Sequence, residues 1–190
     1  MRVLVTLTAT VVIVHKIVDR RIDLYFRREG QARRGAIAEE TVGEILARLP
    51  DVDHVILHDV RTRHGNIDHI VFRRDGAIFL IETKSHRGYV TLHDGQLFRN
   101  GDSFEKDIVK QVLGNIYELR SSLSGPLGQL PWIESVIVFT NAHVPPWSKV
   151  KNIQVINARY LLAWMGKVRG HQAIAPVLWM KMGEIRDALS

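Results

Sequence analysis

The chain has 190 residues, of which 46% are hydrophobic, and this is enough for one well-buried core and therefore for one main domain. It contains no cysteine, which excludes disulfides, cysteine zinc sites and thiol nucleophiles and fits a reducing cytoplasm. Because 26 Lys and Arg outnumber 20 Asp and Glu, the net charge is +6. This favours a polyanionic partner, either nucleic acid or an anionic membrane surface.

The chain begins with an uncharged apolar run of 12 residues, from Val3 to Val14. A membrane-spanning helix usually needs roughly 17 to 25 residues, so this run is short for an anchor, and no small-residue cleavage site follows it. Basic residues do follow it, between Lys16 and Arg34. An anchor here would therefore leave the rest of the protein in the cytoplasm, tethered to the inner face of the membrane.

Two interpretations of this N-terminal segment stay open. In the first, residues 3–18 contact or anchor in a membrane; in the second, they pack as an apolar element on the domain or on a second copy. We therefore divide the chain into an N-terminal segment, residues 1–34, and a main domain with C-terminal helices, residues 35–190.

The first regular element of the main domain is a predicted helix over residues 36–49, which Pro50 ends. Five apolar residues recur along it at helical spacing and are expected to face the core: Ile37, Val42, Ile45, Leu46 and Leu49. Glu39 lies beside this apolar face, near the start of the helix.

Strands and helices alternate along the rest of the chain. The patterns predict strands over 53–60, 66–73 and 77–84, a hairpin around His93, a helix from Ser103 to Leu123, a loop over 124–131, strands in "WIESVIVFT" and "NIQVIN", and helices over 158–167 and 173–189. The strand "WIESVIVFT" is continuously apolar, which is typical of the middle of a sheet that is covered on both faces. An α/β fold follows, with helices on both sides of a central sheet.

Ionisable residues occupy the two strands of the hairpin "NIDHIVFRRDGAIFLIETK". Side chains alternate across a strand, so Glu82 and Lys84 share one face. The turn decides where Asp68 lies. A two-residue Asp75-Gly76 turn would pair Asp68 with Thr83, whereas a three-residue loop from Arg74 to Gly76 would pair Asp68 with Glu82.

The second register would unite Asp68, Glu82 and Lys84 on one face. Directly opposed carboxylates repel each other, and this cost is usually accepted only where a cation bridges them. Mg²⁺ prefers carboxylate and water oxygens, and a nearby lysine can stabilise the attacking hydroxide or the phosphate that it attacks. This combination of residues suits phosphodiester hydrolysis.

The order of Asp68, Glu82 and Lys84 resembles the signature of the PD-(D/E)XK nuclease superfamily, and within it the chain is similar to the nuclease-related domain (NERD) family. The resemblance runs from "RRGAIAEETVGEIL" through "HVILHDV", the hairpin and "KQVLGNIYELRSSL" to "SVIVFTNAHV", which covers roughly residues 33–144. It implies a restriction-endonuclease-like fold, in which a mixed central β-sheet is flanked by helices in αβββαβ order.

The resemblance also implies a divalent-metal-dependent nuclease, with DNA as the expected substrate and Mg²⁺ or Mn²⁺ as the cofactor. Asp68, Glu82 and the backbone carbonyl of Thr83 would hold the metal, and Lys84 would assist the attacking water. Glu39 on the first helix and Gln111 on the helix after the hairpin would complete the catalytic set. Each has a structural alternative: an ion pair at a sheet edge for the strand residues, a solvated first-turn acid for Glu39 and a helix contact for Gln111.

Nucleic-acid contacts are expected from Arg87, which closely follows the catalytic lysine, and from Lys110, for which a solvated helix face is the competing interpretation. His69 points away from Asp68 and is predicted to pack rather than to bind metal. Two other functions stay open: a non-cleaving nucleic-acid-binding module on the same fold, and a membrane-tethered assembly protein. A homodimer is expected if both strands of a duplex are cut.

Overall fold

The computed structural model of the protein describes Arg21 and residues 29–190. The candidate membrane segment, residues 3–18, lies outside the described residues. Among those that are described, no helix combines the length and the apolar character needed to cross a membrane. The chain divides into two compact units between Ile37 and Ala38, and the predicted boundary at residues 34 and 35 stays a prediction.

A mixed sheet forms the centre of the second unit. Its strands are β1 (His54–Thr62), β2 (Gly65–Arg73), β3 (Ile78–His93), β4 (Gln96–Arg99), β5 (Asp102–Ser103), β6 (Glu134–His143), β7 (Ser148–Val150) and β8 (Ile153–Asn157). They follow the order β1-β2-β3-β6-β8-β7, and β4 and β5 extend from β3. The contacts of β6 with β3 and β8 are parallel and the other pairs are antiparallel.

Helices cover both faces of this sheet. They are α1 (residues 29–46), α2 (Ile108–Leu127), a 3-10 turn (Ala158–Tyr160), α3 (Leu161–Lys167), α4 (Ala175–Met180) and α5 (Met182–Leu189). One buried cluster joins α2, α4 and α5 to the sheet, and a second joins α3 and the part of α1 from Val42 onwards to the other face. This is the α/β, restriction-endonuclease-like architecture that the sequence predicts.

The prediction for α1 is wrong at both ends. The helix already includes residue 29 and ends at residue 46, before the predicted Leu49 and Pro50. Val42 and Leu46 are fully buried as expected, but Ile37 is 53% exposed. The apolar face that the pattern starts at Ile37 is therefore buried only from Ala38 onwards.

The helix α2 begins later than predicted and continues further. The Asp107 side chain accepts a hydrogen bond from the Lys110 backbone N–H at 2.9 Å and caps the N-terminus, so Ser103 lies outside the helix, in β5. At the other end Gly128 adopts a left-handed conformation with φ of 68°, so part of the predicted loop is helical. The predicted helix over residues 173–189 is two helices, α4 and α5, which meet at Lys181.

The loop between β2 and β3 has three residues, as one of the two predicted registers requires. Arg73 donates its backbone N–H to the Ala77 carbonyl at 2.9 Å, and Gly76 has a φ of +88°, which favours glycine. The ladder then pairs Val71 with Phe79 and His69 with Ile81. Continued by one step, this register places Asp68 opposite Glu82, as the three-residue loop requires.

Candidate active site

The two carboxylates lie at the end of the β2–β3 ladder, on the face of the sheet that α2 covers. Glu82 is only 1% exposed, because it belongs to a central strand with β2 on one side and β6 on the other. Asp68 is half-buried, and one of its carboxylate oxygens accepts the backbone N–H of Thr83 at 2.5 Å. That hydrogen bond holds the Asp68 carboxylate beside the strand that carries Glu82.

Lys84 and Gln111 both contact Glu82. Oε1 of Glu82 accepts hydrogen bonds from Lys84 Nζ and, at 3.1 Å, from Gln111 Nε2 on the first turn of α2. The other oxygen, Oε2, is buried and has no hydrogen-bond partner among the described residues. One oxygen of Glu82 therefore orients two predicted catalytic side chains, while the second keeps its lone pairs free for a ligand.

The electrostatics of the site are unfavourable without a cation. Burial raises the pKa of Asp68 from 3.8 to about 7, and the negative charge of Glu82 acts in the same direction. The Thr83 N–H and the Lys84 ammonium oppose this rise, and the charge of Glu39 adds to it. Two carboxylates with one ammonium thus leave a surplus of negative charge that a cation would neutralise.

Glu39 lies on the exposed side of α1, in the helical layer on the other face of the sheet. Its effect on the pKa of Asp68 shows that its charge reaches the site. The structure therefore joins Glu82, Lys84 and Gln111 by hydrogen bonds. It holds Asp68 beside them through the Thr83 N–H, and it places Glu39 at the margin of the group. No set of three or more His, Cys, Asp or Glu side chains among the described residues is close enough to hold a metal ion.

The two predicted nucleic-acid contacts are both exposed. Arg87 lies on β3 beyond a one-residue register shift in its pairing with β6, and pairs with Asn141. Lys110 is on the first turn of α2, next to Gln111. Nothing in their contacts assigns them a ligand, so both stay predictions.

His69 packs as predicted. It is 4% exposed, and its Nδ1 lies 2.7 Å from Nδ1 of His58 on β1, so one ring donates to the other. Burial lowers the pKa of His69 to about 4, and the neighbouring His58 adds to the effect. The rings of His58 and His69 therefore fill the space between the sheet and Gly43 of α1.

The contacts that hold the helix of Gln111 were not predicted from the sequence. The turn between β1 and β2 packs on α2: Thr62 Oγ1 donates to Asn115 Oδ1 at 2.7 Å, and the Arg63 N–H donates to the Glu118 carboxylate at 2.9 Å. Asn115 is fully buried, and Gly114 leaves room for the ring of His64. A buried asparagine one turn after Gln111 was the available signal, because a buried amide requires a polar partner.

The sheet order, the helices on both faces and the acid–acid–lysine arrangement define a nuclease-like α/β domain of the restriction-endonuclease type. The family model of the nuclease-related domain (NERD) matches residues 34–140, which is more than half of the chain, and the protein belongs to this family. A comparison with curated proteins found no match. Membership of the family supports a nuclease-related function.

Proposed function

We propose that the protein is a divalent-metal-dependent nuclease that hydrolyses phosphodiester bonds, with DNA as the expected substrate. The observation that carries this proposal is that the Asp68 carboxylate lies beside Glu82, and that Glu82 also holds Lys84 through a hydrogen bond. A purely structural ion pair needs one carboxylate for one ammonium. The second acid, in a position that raises its own pKa, is better explained by a ligand of positive charge.

The residues present fit a hard divalent cation. Asp68 and the free Oε2 of Glu82 offer carboxylate oxygens, the backbone carbonyl of Thr83 is the third proposed ligand, and Mg²⁺ or Mn²⁺ accepts such a set together with water. Bound there, the cation would supply Lewis acidity that lowers the pKa of a water molecule and offsets charge on the phosphate. Without the cation, a buried and unpaired carboxylate would lower the stability of the folded protein by several kcal/mol.

The side chains of the protein have separate roles in this proposal. Lys84 is held by Glu82 with its ammonium at the carboxylate pair, where it orients the attacking water or exchanges a proton with it. Gln111 is fixed by the same Glu82 oxygen, and its amide can also hold the water or a phosphate oxygen. Glu39 lies beside these residues and adds negative charge to the site, and it would contact the cation either directly or through a water molecule.

The experiment is cleavage of labelled single-stranded DNA, duplex DNA, circular DNA and RNA in Mg²⁺, Mn²⁺ or EDTA. Glu82→Gln and Lys84→Met keep the size of each side chain and remove its charge. We expect each to lower the rate by roughly 100-fold or more. Glu44→Gln and Lys149→Met are the matched controls, because both residues are exposed and distant along the chain from the site.

Cleavage that persists in EDTA, or in both site variants, would overturn the proposal. If the folded wild-type protein binds nucleic acid but cuts none of the substrates with any metal, the alternative of a non-cleaving binding module replaces it. One site cuts one strand, so efficient double-strand cleavage would indicate a homodimer, and sedimentation of the protein with duplex would then show two copies.

A further inference from the structure

The strand that carries Glu82 and Lys84 continues to an exposed aromatic ring. β3 runs for 16 residues, from Ile78 to His93, and Tyr89 lies on its second half. There the strand has β4 on one side and β6 on the other, yet the Tyr89 side chain is 66% exposed. Its ring lies 5.3 Å from the ring of His143, its partner on β6. The ring of Tyr89 is therefore accessible to a ligand on this face of the strand.

The backbone of Tyr89 is held on a fixed support. Its N–H donates to Asn100 Oδ1 at 2.8 Å, and its carbonyl accepts the N–H of Asn100 at 2.9 Å. Gly88 precedes it with a φ of +103°, and a Cβ there would lie 2.5 Å from Asn100 Oδ1, so only glycine allows this close approach. Because the backbone is already ordered, a ligand that stacks on the ring costs little conformational entropy.

A cation precedes this ring on the same strand. Arg87 is exposed two residues before Tyr89. Arg99 on β4, in contrast, pairs with the buried Val90 and therefore lies on the opposite face of the sheet from Tyr89. Lys84 precedes Arg87 and Tyr89 on the same strand, so β3 carries positive charge from the candidate active site to Tyr89. Aromatic rings with flanking cations are the composition of surfaces that bind unpaired nucleic-acid strands.

We propose that Tyr89 is a stacking platform for an unpaired base of the nucleic-acid substrate, and that Arg87 binds an adjacent phosphate. The inference rests on the proposed function in one respect, since it takes nucleic acid as the ligand of this face. In a duplex both faces of each internal base are already stacked. The platform therefore selects a single strand, or a single-stranded end, over an intact duplex.

The test is equilibrium binding in EDTA, where metal-dependent cleavage cannot occur. Labelled oligothymidylate and a blunt hairpin duplex are titrated with the full chain and with Tyr89→Ala, Tyr89→Phe and Tyr117→Ala. Tyr117→Ala is the matched control because Tyr117 is 80% exposed on the outer side of α2. Thermal denaturation of each variant verifies that the Asn100 contacts, which use the backbone of residue 89, still hold the strand.

We expect Tyr89→Ala to weaken binding of oligothymidylate by about 5- to 150-fold, the equivalent of about 1–3 kcal/mol for one stacked base. Tyr89→Phe keeps the ring and should bind within about threefold of the wild type, as should Tyr117→Ala, and duplex binding should change little in all three. Unchanged binding of the single strand by Tyr89→Ala, or equal loss in Tyr117→Ala, would overturn the platform.

The same proteins separate failure of the platform from failure of the nuclease. If the wild type cleaves with Mg²⁺ while Tyr89→Ala binds and cuts normally, only the platform is wrong. If nothing is cleaved but single-strand binding depends on the ring of Tyr89, the platform stands and the catalytic proposal falls.

Discussion

Replacing Asp68 with asparagine should stabilise the metal-free protein, although the residue belongs to the candidate active site. Asparagine removes the charge that faces Glu82 and keeps an oxygen that can accept the Thr83 N–H. The pKa of Asp68 rises from 3.8 to about 7, and this corresponds to at most about 4 kcal/mol of unfavourable free energy for the ionised carboxylate. We expect a gain of about 2–4 kcal/mol in EDTA at neutral to alkaline pH.

The direction of the pKa shift determines how the stability of the wild type depends on pH. The pKa of Asp68 is higher in the folded protein than in the unfolded chain, so the folded state holds the proton more tightly. The wild type therefore loses stability as the pH rises from about 4 to about 7, and the asparagine variant lacks this loss. The difference between the two proteins should be near zero at about pH 4 and reach its full value above about pH 7.

Urea denaturation in EDTA across this pH range is the assay, with Asp102→Asn as the control because Asp102 is exposed on β5. Asp102→Asn should change stability by less than about 0.5 kcal/mol. Added Mg²⁺ or Mn²⁺ at about 100 times its dissociation constant should stabilise the wild type by about 3 kcal/mol and leave the Asp68 variant unchanged. A variant that is less stable than the wild type in EDTA, or a difference that does not vary with pH, would refute the electrostatic reasoning.

Two further predictions concern the scaffold of the site. Arg73→Met should lower the free energy of unfolding by about 2–4 kcal/mol in urea denaturation. The reason is that Arg73 donates to the carbonyls of Met165 at 2.7 Å and Val168 at 2.6 Å and forms an ion pair with Asp75. A loss below about 0.5 kcal/mol would contradict this prediction. Gly114→Ala should cost about 1–2 kcal/mol, because the new Cβ would lie 2.7 Å from His64 Cγ. In a His64→Ala background the same change should instead stabilise α2 by up to about 1 kcal/mol, and a penalty that survives there would exclude the proposed clash.

The two possible registers of the carboxylates could be predicted from the sequence, and the three-residue loop of the structure selects one of them. Gly76 tolerates the positive φ that a three-residue loop needs, and the strands on each side have enough apolar residues to fix which face is buried. Asp68, Glu82 and Lys84 then follow from the alternation of side chains alone. The strand "WIESVIVFT" was predictable for a similar reason, since a continuous apolar run suits a strand with neighbours on both sides.

Element ends were less predictable, because tertiary contacts decide them. The start of α2 depends on which of several polar residues caps the helix, and Asp107 does so rather than Ser103. The strand that was predicted over residues 77–84 continues to His93. A register shift after Lys84 and the positive φ of Gly88 interrupt the alternation of buried and exposed side chains, but they do not end the strand. The contact between the β1–β2 turn and α2 joins residues about 50 positions apart, and Asn115 on α2 indicates a polar partner without showing which residue it is.

The strand β3 continues from Ile78 to His93 and therefore fixes the distance between residues on its two halves. Lys84 and Tyr89 belong to one strand, whose length is set by hydrogen bonds to β6 along both halves and by a single inserted residue between them. In the proposed function, the distance between Lys84 and the ring of Tyr89 is therefore set by the backbone of β3 and not by a loop. A longer or shorter bulge would then shift the proposed cleavage position relative to the base that Tyr89 is proposed to hold.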